Sequence, residues 1–276
     1  SLEVLEKRGF EVARLKPEKD GSISVSAVMG ALREDTILVS LMLVNNETGG
    51  ITDISAISKA LKKSGSAALL HTDAVQGFLK VPFSAKTLGA DMISISGHKI
   101  HAPKAIGALY IRGGTKANLS PLIVGGAQEF GKRAGTEALP QIAAFAKAAE
   151  LGSLLFEESH RKMSELKALA VKRLTSENEG LLVLSGEAPH ILSISLPGYK
   201  SEVVMNYLDA LGVYVSKSSA CKKGGRSYVL EAIGLPNTVI DGALRISFSR
   251  FTTQYEVNAL CDAVKEAKAK LYAVLH

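Results

Sequence analysis

Two residues with reactive side chains follow apolar runs that are typical of buried β-strands. Asp73 follows AALLHT (67–72), and Lys99, 26 positions later, follows MISIS (92–96) closely. A lysine amine forms a Schiff base with an aldehyde, and a carboxylate keeps a pyridine nitrogen protonated so that the ring can accept electrons. The pair therefore predicts an enzyme that uses pyridoxal phosphate.

Other polar side chains accompany these two residues. Gln76 lies shortly after Asp73, while Ser96 and His98 immediately precede Lys99 and supply hydrogen-bond donors for a phosphate group. Asn46, in VNNE (44–47), follows a further apolar run. Because the carboxyl ends of parallel strands meet at one edge of a sheet, we expect all of these side chains to converge on one pocket.

The elements that must position these residues can be predicted from hydrophobic patterning. Apolar runs predict strands separated by helical or connecting segments, such as the helix ISAISKALKKSG (54–65). The predicted strands are TILVSLMLV (36–44), AALLHT, MISIS, GALYIR (107–112) and, less strongly patterned, FEVARL (10–15). Strands that are apolar on both faces indicate an α/β fold with a largely parallel sheet covered by helices.

The pattern changes after residue 140, where a smaller α+β domain is predicted. Its elements are a long helix over 141–174, strands ILSISL (191–196), VYVS (213–216) and RISFS (245–249), and helices near 201–211 and over 254–275. We place the domain boundary near residue 150. The first domain then spans 1–150 and carries most of the polar strand ends, and the second spans 151–276.

Composition excludes several classes of protein. The chain has 276 residues, of which 46% are apolar and 22% are charged, so it fits a globular protein and not a disordered or fibrous one. Its apolar runs are too short to cross a bilayer, and its opening residues do not form a signal peptide, so we expect a cytoplasmic protein. The net charge of +6 is scattered, which argues against nucleic-acid binding.

The two cysteines have different settings. Cys261, in VNALCDAVKEAKAKL, shares an apolar helical face with Val257, Leu260 and Val264 and is expected in the core. Cys221, in KSSACKKGGR, has cationic neighbours that would lower its thiol pKa and favour the nucleophilic thiolate. The alternative for this segment is an ordinary solvated loop. Two cysteines are too few for a disulfide framework, which indicates a reducing compartment.

Six motifs in order along the chain resemble the cysteine desulfurases, which are fold type I pyridoxal phosphate enzymes of the class V aminotransferase group. The motifs are VNNETG (44–49), HTDAVQ (71–76), SISGHKIHAPK (94–104), GGAQEFGKRAGTE (125–137), SSAC (218–221) and LRISFSRFTT (244–253). The resemblance implies a large cofactor-binding domain followed by a smaller C-terminal domain that carries the cysteine loop.

The resemblance also assigns roles to individual residues. Lys99 would carry the cofactor, Asp73 would pair with its ring nitrogen, and Gln76 would bond its ring hydroxyl. Ser96 and His98 would hold the phosphate, and Thr136 would reach the phosphate in a partner subunit, which implies a homodimer. Asn46 and Arg245 would bind the substrate carboxylate. A guanidinium fork matches a carboxylate independently of any resemblance. No metal site is implied.

The implied reaction removes sulfur from L-cysteine, gives L-alanine and leaves a persulfide on Cys221. The sulfur would then pass to an acceptor protein for iron–sulfur cluster, thio-cofactor or tRNA synthesis. Two alternatives stay open: a selenocysteine lyase or other class V enzyme, and a non-catalytic truncated paralogue or fragment.

Two departures from the family pattern bear on activity. Ala102 and Ala105 stand where family members commonly have glycine. Family members also have a further N-terminal segment before the part matched by SLEVLEKRGF, and it carries a phosphate loop and a ring-stacking histidine. On that basis we expect the isolated chain to be a poor enzyme.

Overall fold

The computed structural model describes residues 2–113, 119–217 and 225–273. In the first of these ranges, four strands form one sheet in the order β1-β2-β3-β4. The strands are β1 (Leu38–Met42), β2 (Leu69–Asp73), β3 (Met92–Ser96) and β4 (Gly107–Ile111). The first three are parallel, and β4 runs antiparallel to β3. The predicted α/β fold with a mostly parallel sheet is therefore confirmed.

Short helices accompany this sheet. They are α1 (Leu2–Glu6), α2 (Val25–Ala31), α3 (Ile54–Lys63) and α4 (Ala85–Leu88). Helix α3 begins where the Asp53 side chain accepts a hydrogen bond from the backbone N–H of Ala56 at 2.9 Å. Its apolar face, including Ile54, Ile57 and Leu61, is buried in the core that covers the sheet. Helix α3 was predicted at this position, as the crossover between β1 and β2.

The single long helix predicted over 141–174 is wrong in one respect, because the chain leaves the helix at Leu155. The structure has two helices, α5 (Leu139–Leu154) and α6 (Phe156–Glu177), and Leu155 between them has φ −97° and ψ 10°. The reason lies in what each helix covers. Helix α6 buries Met163, Leu166 and other residues in the core of the second sheet, whereas little of α5 is buried.

The second sheet is antiparallel and has the order β5-β6-β8-β7. Its strands are β5 (Leu182–Val183), β6 (Ile191–Ser195), β7 (Ser216–Lys217) and β8 (Ala243–Ser247), and the helices of this half are α7 (Ser201–Ala210), α8 (Tyr228–Ile233), α9 (Asn237–Asp241) and α10 (Gln254–Lys270). All five residues of β6 are buried. The sheet packs on α6, α7 and α10, which gives the α+β arrangement expected for this part.

Helix α10 joins the core of the second sheet. Thr253 and Glu256 form a capping box at its start, which satisfies backbone N–H groups that would otherwise lack partners. Cys261 is fully buried on its inner face, so its predicted core position is confirmed, and burial raises the pKa of its thiol to about 11. A thiol in this setting is inert.

Two predicted strands differ from the structure. FEVARL (10–15) is mostly exposed and makes no strand, because no neighbouring strand accepts its backbone hydrogen bonds. VYVS (213–216) is extended but pairs only at its end, where Ser216 and Lys217 lie opposite Arg245 and Leu244. Val213 and Val215 pack against the core instead. The closing helix, predicted to reach residue 275, ends at Lys270, because Leu271 takes an extended conformation.

The two sheets are formed by two different parts of the chain. The domain boundary predicted at residue 150 stays a prediction. Buried residues form one large cluster around each sheet, and Ala188 and Ile191 of the second half belong to the first cluster. Among the described residues, no helix is both long and apolar enough to cross a membrane.

Candidate functional site

Two neighbouring strands of the first sheet end in polar residues at the same edge. Asp73 is the last residue of β2 and lies opposite Ser94 of β3, and Ser96 ends β3 two residues later. The strands are parallel, so their carboxyl ends meet here. The structure therefore brings Asp73 and Ser96 to one edge of the sheet, as the spacing of the motifs predicts.

Lys99 lies on a tight turn directly beyond β3. The 3-10 turn Gly97–Ile100 places Lys99 half-buried and His98 exposed. The Ser96 hydroxyl and Nδ1 of His98 are 2.8 Å apart and share a hydrogen bond. A side chain at Gly97 would come within 2.7 Å of Ile106, and the Gly97 N–H donates to the Ile106 carbonyl at 2.9 Å. The turn therefore requires glycine at this position.

The other predicted cofactor residues lie close to this edge in the chain. An Oδ1 atom of Asp73 accepts a hydrogen bond from the Val75 N–H at 2.9 Å, which fixes the carboxylate at the strand end. Gln76 follows in a turn and is half-buried. His71 shares hydrogen bonds with Ser40 at 2.8 Å and Ser94 at 2.9 Å. It links the three parallel strands.

Arg245 reaches the first half from the second sheet. Its Nη1 donates a hydrogen bond to the backbone carbonyl of Asn46 at 2.8 Å, across 199 positions of sequence. The two residues predicted to bind a substrate carboxylate are therefore adjacent. The contact involves the main chain of Asn46, so the roles of its amide and of the guanidinium toward a substrate stay predictions.

Two predicted residues are not joined to this group in the described structure. Thr136 is exposed in the segment before α5, and its predicted contact with a partner subunit stays a prediction. Cys221 lies outside the described residues, in the segment 218–224. The described chain resumes at Gly225, and Ser227 begins α8.

The residues 45–50, which we name the clip loop, hold the two halves together. Asn45 organises the loop, because its Oδ1 accepts hydrogen bonds from the N–H groups of Glu47 at 2.9 Å and Thr48 at 3.1 Å. The Thr48 carbonyl accepts from the Gly186 N–H at 2.8 Å, and the Gly49 carbonyl accepts from the Ala188 N–H at 2.9 Å. The loop thus pairs with the segment that leads into β6.

The clip loop is so close to residue 186 that only glycine fits there. A Cβ atom at Gly186 would lie 2.4 Å from the Gly50 Cα, a distance that real Cβ atoms essentially never show. The Lys167 amine donates to the carbonyls of Gly186 at 2.5 Å and Ala188 at 2.8 Å. Burial lowers the pKa of Lys167 to about 8.

Sequence patterns missed Glu47, which is only 4% exposed in the clip loop. Its Oε2 accepts a hydrogen bond from the Ser227 hydroxyl at the start of α8. Burial raises the pKa of this carboxyl, whereas the Ser227 hydrogen bond and the positive charge of Arg245 oppose that rise. Glu47 belongs to the VNNETG motif, so its place in a chemically specific stretch was the available signal.

Sequence patterns also missed His190, a buried imidazole between the two halves. It is 5% exposed, and neither ring nitrogen has a hydrogen-bond partner among the described residues. Burial, together with the charges of Lys80, Lys167, Lys99 and Arg245, lowers its pKa to about 3. His190 therefore stays neutral at physiological pH. Its signal in the sequence was a polar residue directly before a predicted strand that is mostly apolar.

Cations gather near this histidine and near His101. Burial and the charge of Arg250 lower the pKa of Lys80. Burial and the charges of Lys80 and Arg250 lower the pKa of His101. The His101 ring packs edge-on against Phe251, with 4.9 Å between the ring centroids. The region between the halves is therefore electropositive and suits an anionic ligand.

The family model for aminotransferase class V matches residues 2–260 of the chain. Cysteine desulfurase 2 of Trichormus variabilis is 39% identical over 275 residues, which are 98% of this chain and 68% of the relative. Cysteine desulfurase IscS of Methanosarcina thermophila is 39% identical over 278 residues, covering 97% of this chain and 66% of the relative. The chain thus spans about two thirds of the length of these relatives.

Solved structures are also similar to this chain. A NifS-like protein superposes with a TM-score of 0.90 at 33% identity, covering 98% of this chain and 71% of that structure. SspA in complex with cysteine superposes with a TM-score of 0.75 at 30% identity, covering 91% of this chain and 70% of that structure. These matches fall in the group that the six sequence motifs resemble.

Proposed function

The chain belongs to the aminotransferase class V family, and on that premise we propose that it is a cysteine desulfurase that uses pyridoxal phosphate. Relatives named cysteine desulfurase match nearly its whole length. The observation that carries the proposal is the shared edge of β2 and β3, where a carboxylate, a hydroxyl and a lysine amine follow neighbouring strand ends.

The groups at this edge fit the cofactor chemically. Asp73 offers a fixed carboxylate for a ring nitrogen, and Gln76 lies close by in the chain. Ser96 and His98 offer hydroxyl and imidazole donors for a phosphate. His98 is exposed, so a phosphate can approach it from solvent. Lys99 supplies the amine that would attach the cofactor. When bound, the cofactor supplies an electron sink for the carbanion formed at the substrate's α-carbon.

The substrate is proposed to bind between the two halves. Arg245 offers a guanidinium fork that pairs with a carboxylate in two parallel hydrogen bonds, and its contact with the Asn46 carbonyl orients it. The neighbouring clip loop excludes water from one side, because Glu47 and Thr48 are buried. The SspA structure with cysteine is a relative with a cysteine ligand, which supports an amino acid carboxylate as the group bound here.

Cys221 is proposed to accept the sulfur atom. Its thiolate would attack the sulfur of L-cysteine, so that a sulfur–sulfur bond forms and the carbon–sulfur bond breaks. The electron pair stays on the substrate carbon, which takes up a proton to give L-alanine. Cationic neighbours in the sequence, Lys222 and Lys223, favour the thiolate. The persulfide would then pass to a sulfur-acceptor protein.

We also propose that two copies of the chain form a homodimer with shared sites. Thr136 is exposed in this chain, which is what a contact with a partner's phosphate group requires. Light scattering of the purified protein checks the dimer. A Thr136→Ala variant that dimerises but binds pyridoxal phosphate more weakly supports the shared site, and unchanged binding contradicts it.

The cofactor assignment is tested with purified protein and pyridoxal phosphate. We expect an absorbance change in the visible range, and borohydride reduction followed by peptide mapping should find the pyridoxyl group on Lys99. Lys99→Ala should abolish both signals. Lys104→Ala is the matched control, because Lys104 is exposed on the same connection. Attachment of the pyridoxyl group at Lys104, or no attachment, would contradict the assignment of Lys99 as the cofactor-carrying residue.

The reaction is tested with L-cysteine and the cofactor-loaded protein. Release of L-alanine and a persulfide on Cys221, found by mass spectrometry, supports desulfuration. Cys221→Ala should lose both products, and Cys261→Ala is the control for the buried thiol. Comparing L-selenocysteine with L-cysteine separates a desulfurase from a selenocysteine lyase.

A further inference from the structure

The clip loop is held at two places by the second half of the chain. Near its start, the Asn46 carbonyl accepts the hydrogen bond of Arg245 at 2.8 Å. Near its end, the carbonyls of Thr48 and Gly49 accept hydrogen bonds from a second-half segment, residues 185–188, which we name the strap. The strap is neither helix nor strand. The position of the Asn46 carbonyl, and with it the orientation of Arg245, therefore depends on where the strap lies.

Lys167 binds the strap through its backbone carbonyls. This lysine lies on α6, and its amine donates hydrogen bonds to the strap carbonyls of Gly186 at 2.5 Å and Ala188 at 2.8 Å. The N–H groups of the same two strap residues donate to the clip loop, at 2.8 and 2.9 Å. Gly186 and Ala188 therefore connect α6 to the clip loop by hydrogen bonds on both sides.

The Lys167 amine is energetically costly at this place. Burial lowers its pKa to about 8, and the charge of Glu187 opposes that fall. Within the described residues Lys167 forms no ion pair, so its hydrogen bonds to the two strap carbonyls replace the lost contact with water. An apolar side chain would avoid the cost of burial but could not bind these carbonyls.

We propose that Lys167 is a positioning residue for the substrate site: by holding the strap, it sets the clip loop and so orients Arg245 toward the substrate carboxylate. The inference rests on the proposed function, because it gives the contact between Arg245 and the Asn46 carbonyl a purpose. The effect of Lys167 passes through the backbone of the strap and of the clip loop.

Three variants separate the hydrogen bonds of Lys167 from the bulk of its side chain. Lys167→Met keeps an unbranched side chain but removes the donors, and lysine and methionine have similar helix propensities. Lys167→Arg keeps a cation with several donors. Lys172→Met is the matched control, because Lys172 is exposed on the same helix.

The first test needs neither cofactor nor turnover. Hydrogen exchange of the backbone amides of the strap and of the clip loop is followed in the full chain by mass spectrometry. We expect Lys167→Met to speed exchange in both segments about tenfold or more, because the contact between them opens more often. Lys167→Arg and Lys172→Met should exchange near the wild-type rate.

The second test measures steady-state desulfuration by the same variants. Lys167→Met should raise KM for L-cysteine about fivefold and change kcat less than about twofold, because a carboxylate contact is the same in the ground state and the transition state. Lys167→Arg should restore most of KM.

A double-mutant cycle shows whether the effect passes through Arg245. In an Arg245→Ala background, Lys167→Met should change KM less than about twofold, because the guanidinium that the clip loop orients is already absent. Thermal unfolding shows whether each variant folds. If Lys167→Met does not, Ser185→Ala takes its place in both tests, because the Ser185 hydroxyl is a second donor to the Thr48 carbonyl, at 3.1 Å.

The outcomes separate this proposal from the proposed function. Wild-type exchange of the clip loop in Lys167→Met would overturn the positioning role. An equal rise in KM with and without Arg245, or a fall in kcat at unchanged KM, would overturn it too, because neither effect would pass through the guanidinium. If the wild-type protein shows no desulfuration, the proposed function fails, while the exchange rates still decide whether Lys167 holds the clip loop.

Discussion

The two sheets differ in how completely their surroundings cover them. In the second sheet, every residue of β6 is buried, and Leu192 and Ile194 pack in the core formed with α6, α7 and α10. In the first sheet, four of the five residues of β4 are exposed, and β1 exposes Leu38 and Met42 at the opposite edge. Both sheets expose an edge strand, β5 in the second sheet and β4 in the first, but the central strand β6 is fully buried whereas the central strands β2 and β3 are only partly buried.

This difference separates stability from chemistry. The polar groups proposed to hold the cofactor are half-buried or exposed at the end of the first sheet. Arg245 and His190 come from the second sheet and reach across to the first half, where their positions depend on a well-packed support. A rigid core that carries a few side chains into an open edge keeps those side chains in place.

Truncating one leucine in each sheet tests this difference in burial. Leu192→Ala, at a fully buried position of β6, should lower the free energy of unfolding by about 2 to 5 kcal/mol. Leu109→Ala, on exposed β4, should cost less than about 1 kcal/mol, because solvent already contacts that side chain. Urea denaturation measures both. Equal losses would show that the two sheets are equally well covered.

The contact between the halves is tested next at Gly186. Gly186→Ala should destabilise the protein by about 1 to 3 kcal/mol, because the new Cβ would overlap the Gly50 backbone and force the clip loop away. Gly30→Ala is the matched control. Position 30 has open space and lies in α2, where alanine should stabilise by up to about 1 kcal/mol. A neutral Gly186→Ala would mean that the halves do not depend on this close approach.

The pH dependence of stability should report His190. Its pKa is about 3 when folded and about 6.5 when unfolded, so the neutral form is favoured by folding. Its contribution is fully present above about pH 6.5 and is lost as pH falls toward about 3, by at most about 1.4 kcal/mol per unit.

His190→Asn should therefore flatten the fall in stability between these pH values. Burial also lowers the pKa values of His71 and His101, so the difference between wild type and variant isolates the contribution of residue 190. Urea titrations across this range measure it. Parallel curves for the two proteins would contradict a buried neutral imidazole.

Ala105, in the connection after Lys99, has a strained backbone conformation, and relieving it should have the smallest effect on stability. Ala105 has a φ of 62°, a left-handed conformation that glycine adopts without strain. Ala105→Gly should therefore stabilise the first half by up to about 1 kcal/mol. Ala102, also a position where the resemblance implies glycine, does not have a positive φ. Ala102→Gly should destabilise slightly, and the opposite order in thermal unfolding would contradict the strain.

Much of the fold follows from local patterning. Apolar runs identified β1 to β4, β6 and β8, because short runs of apolar and β-branched residues are typical of strands. Patterning failed at FEVARL, where alternation exists but no neighbouring strand supplies hydrogen bonds. It also missed the break at Leu155, since the residues on both sides of that position form helices.

The site was predictable only in part. Strand-end reasoning brings Asp73, Ser96 and Lys99 together because it needs only the parallel topology. Glu47 and His190 could not be assigned in this way. Their environments come from Ser227, Arg245 and Lys80, which are distant in sequence and meet only through tertiary packing.

Because the chain leaves the helix at Leu155, α5 does not set the direction of α6. Its 22 residues span about 33 Å at 1.5 Å per residue, so a tilt of about 10° at its start would move its far end by roughly 6 Å. Its buried residues, Met163, Leu166, Ala170 and Leu174, fix α6 along its length, and the contact with the first half adds a further fixed point. The clip loop provides it, since its backbone pairs with the segment leading into β6 on the sheet that α6 covers. A rotation of α6 about residue 155 is therefore resisted by the clip loop, which lies away from that residue.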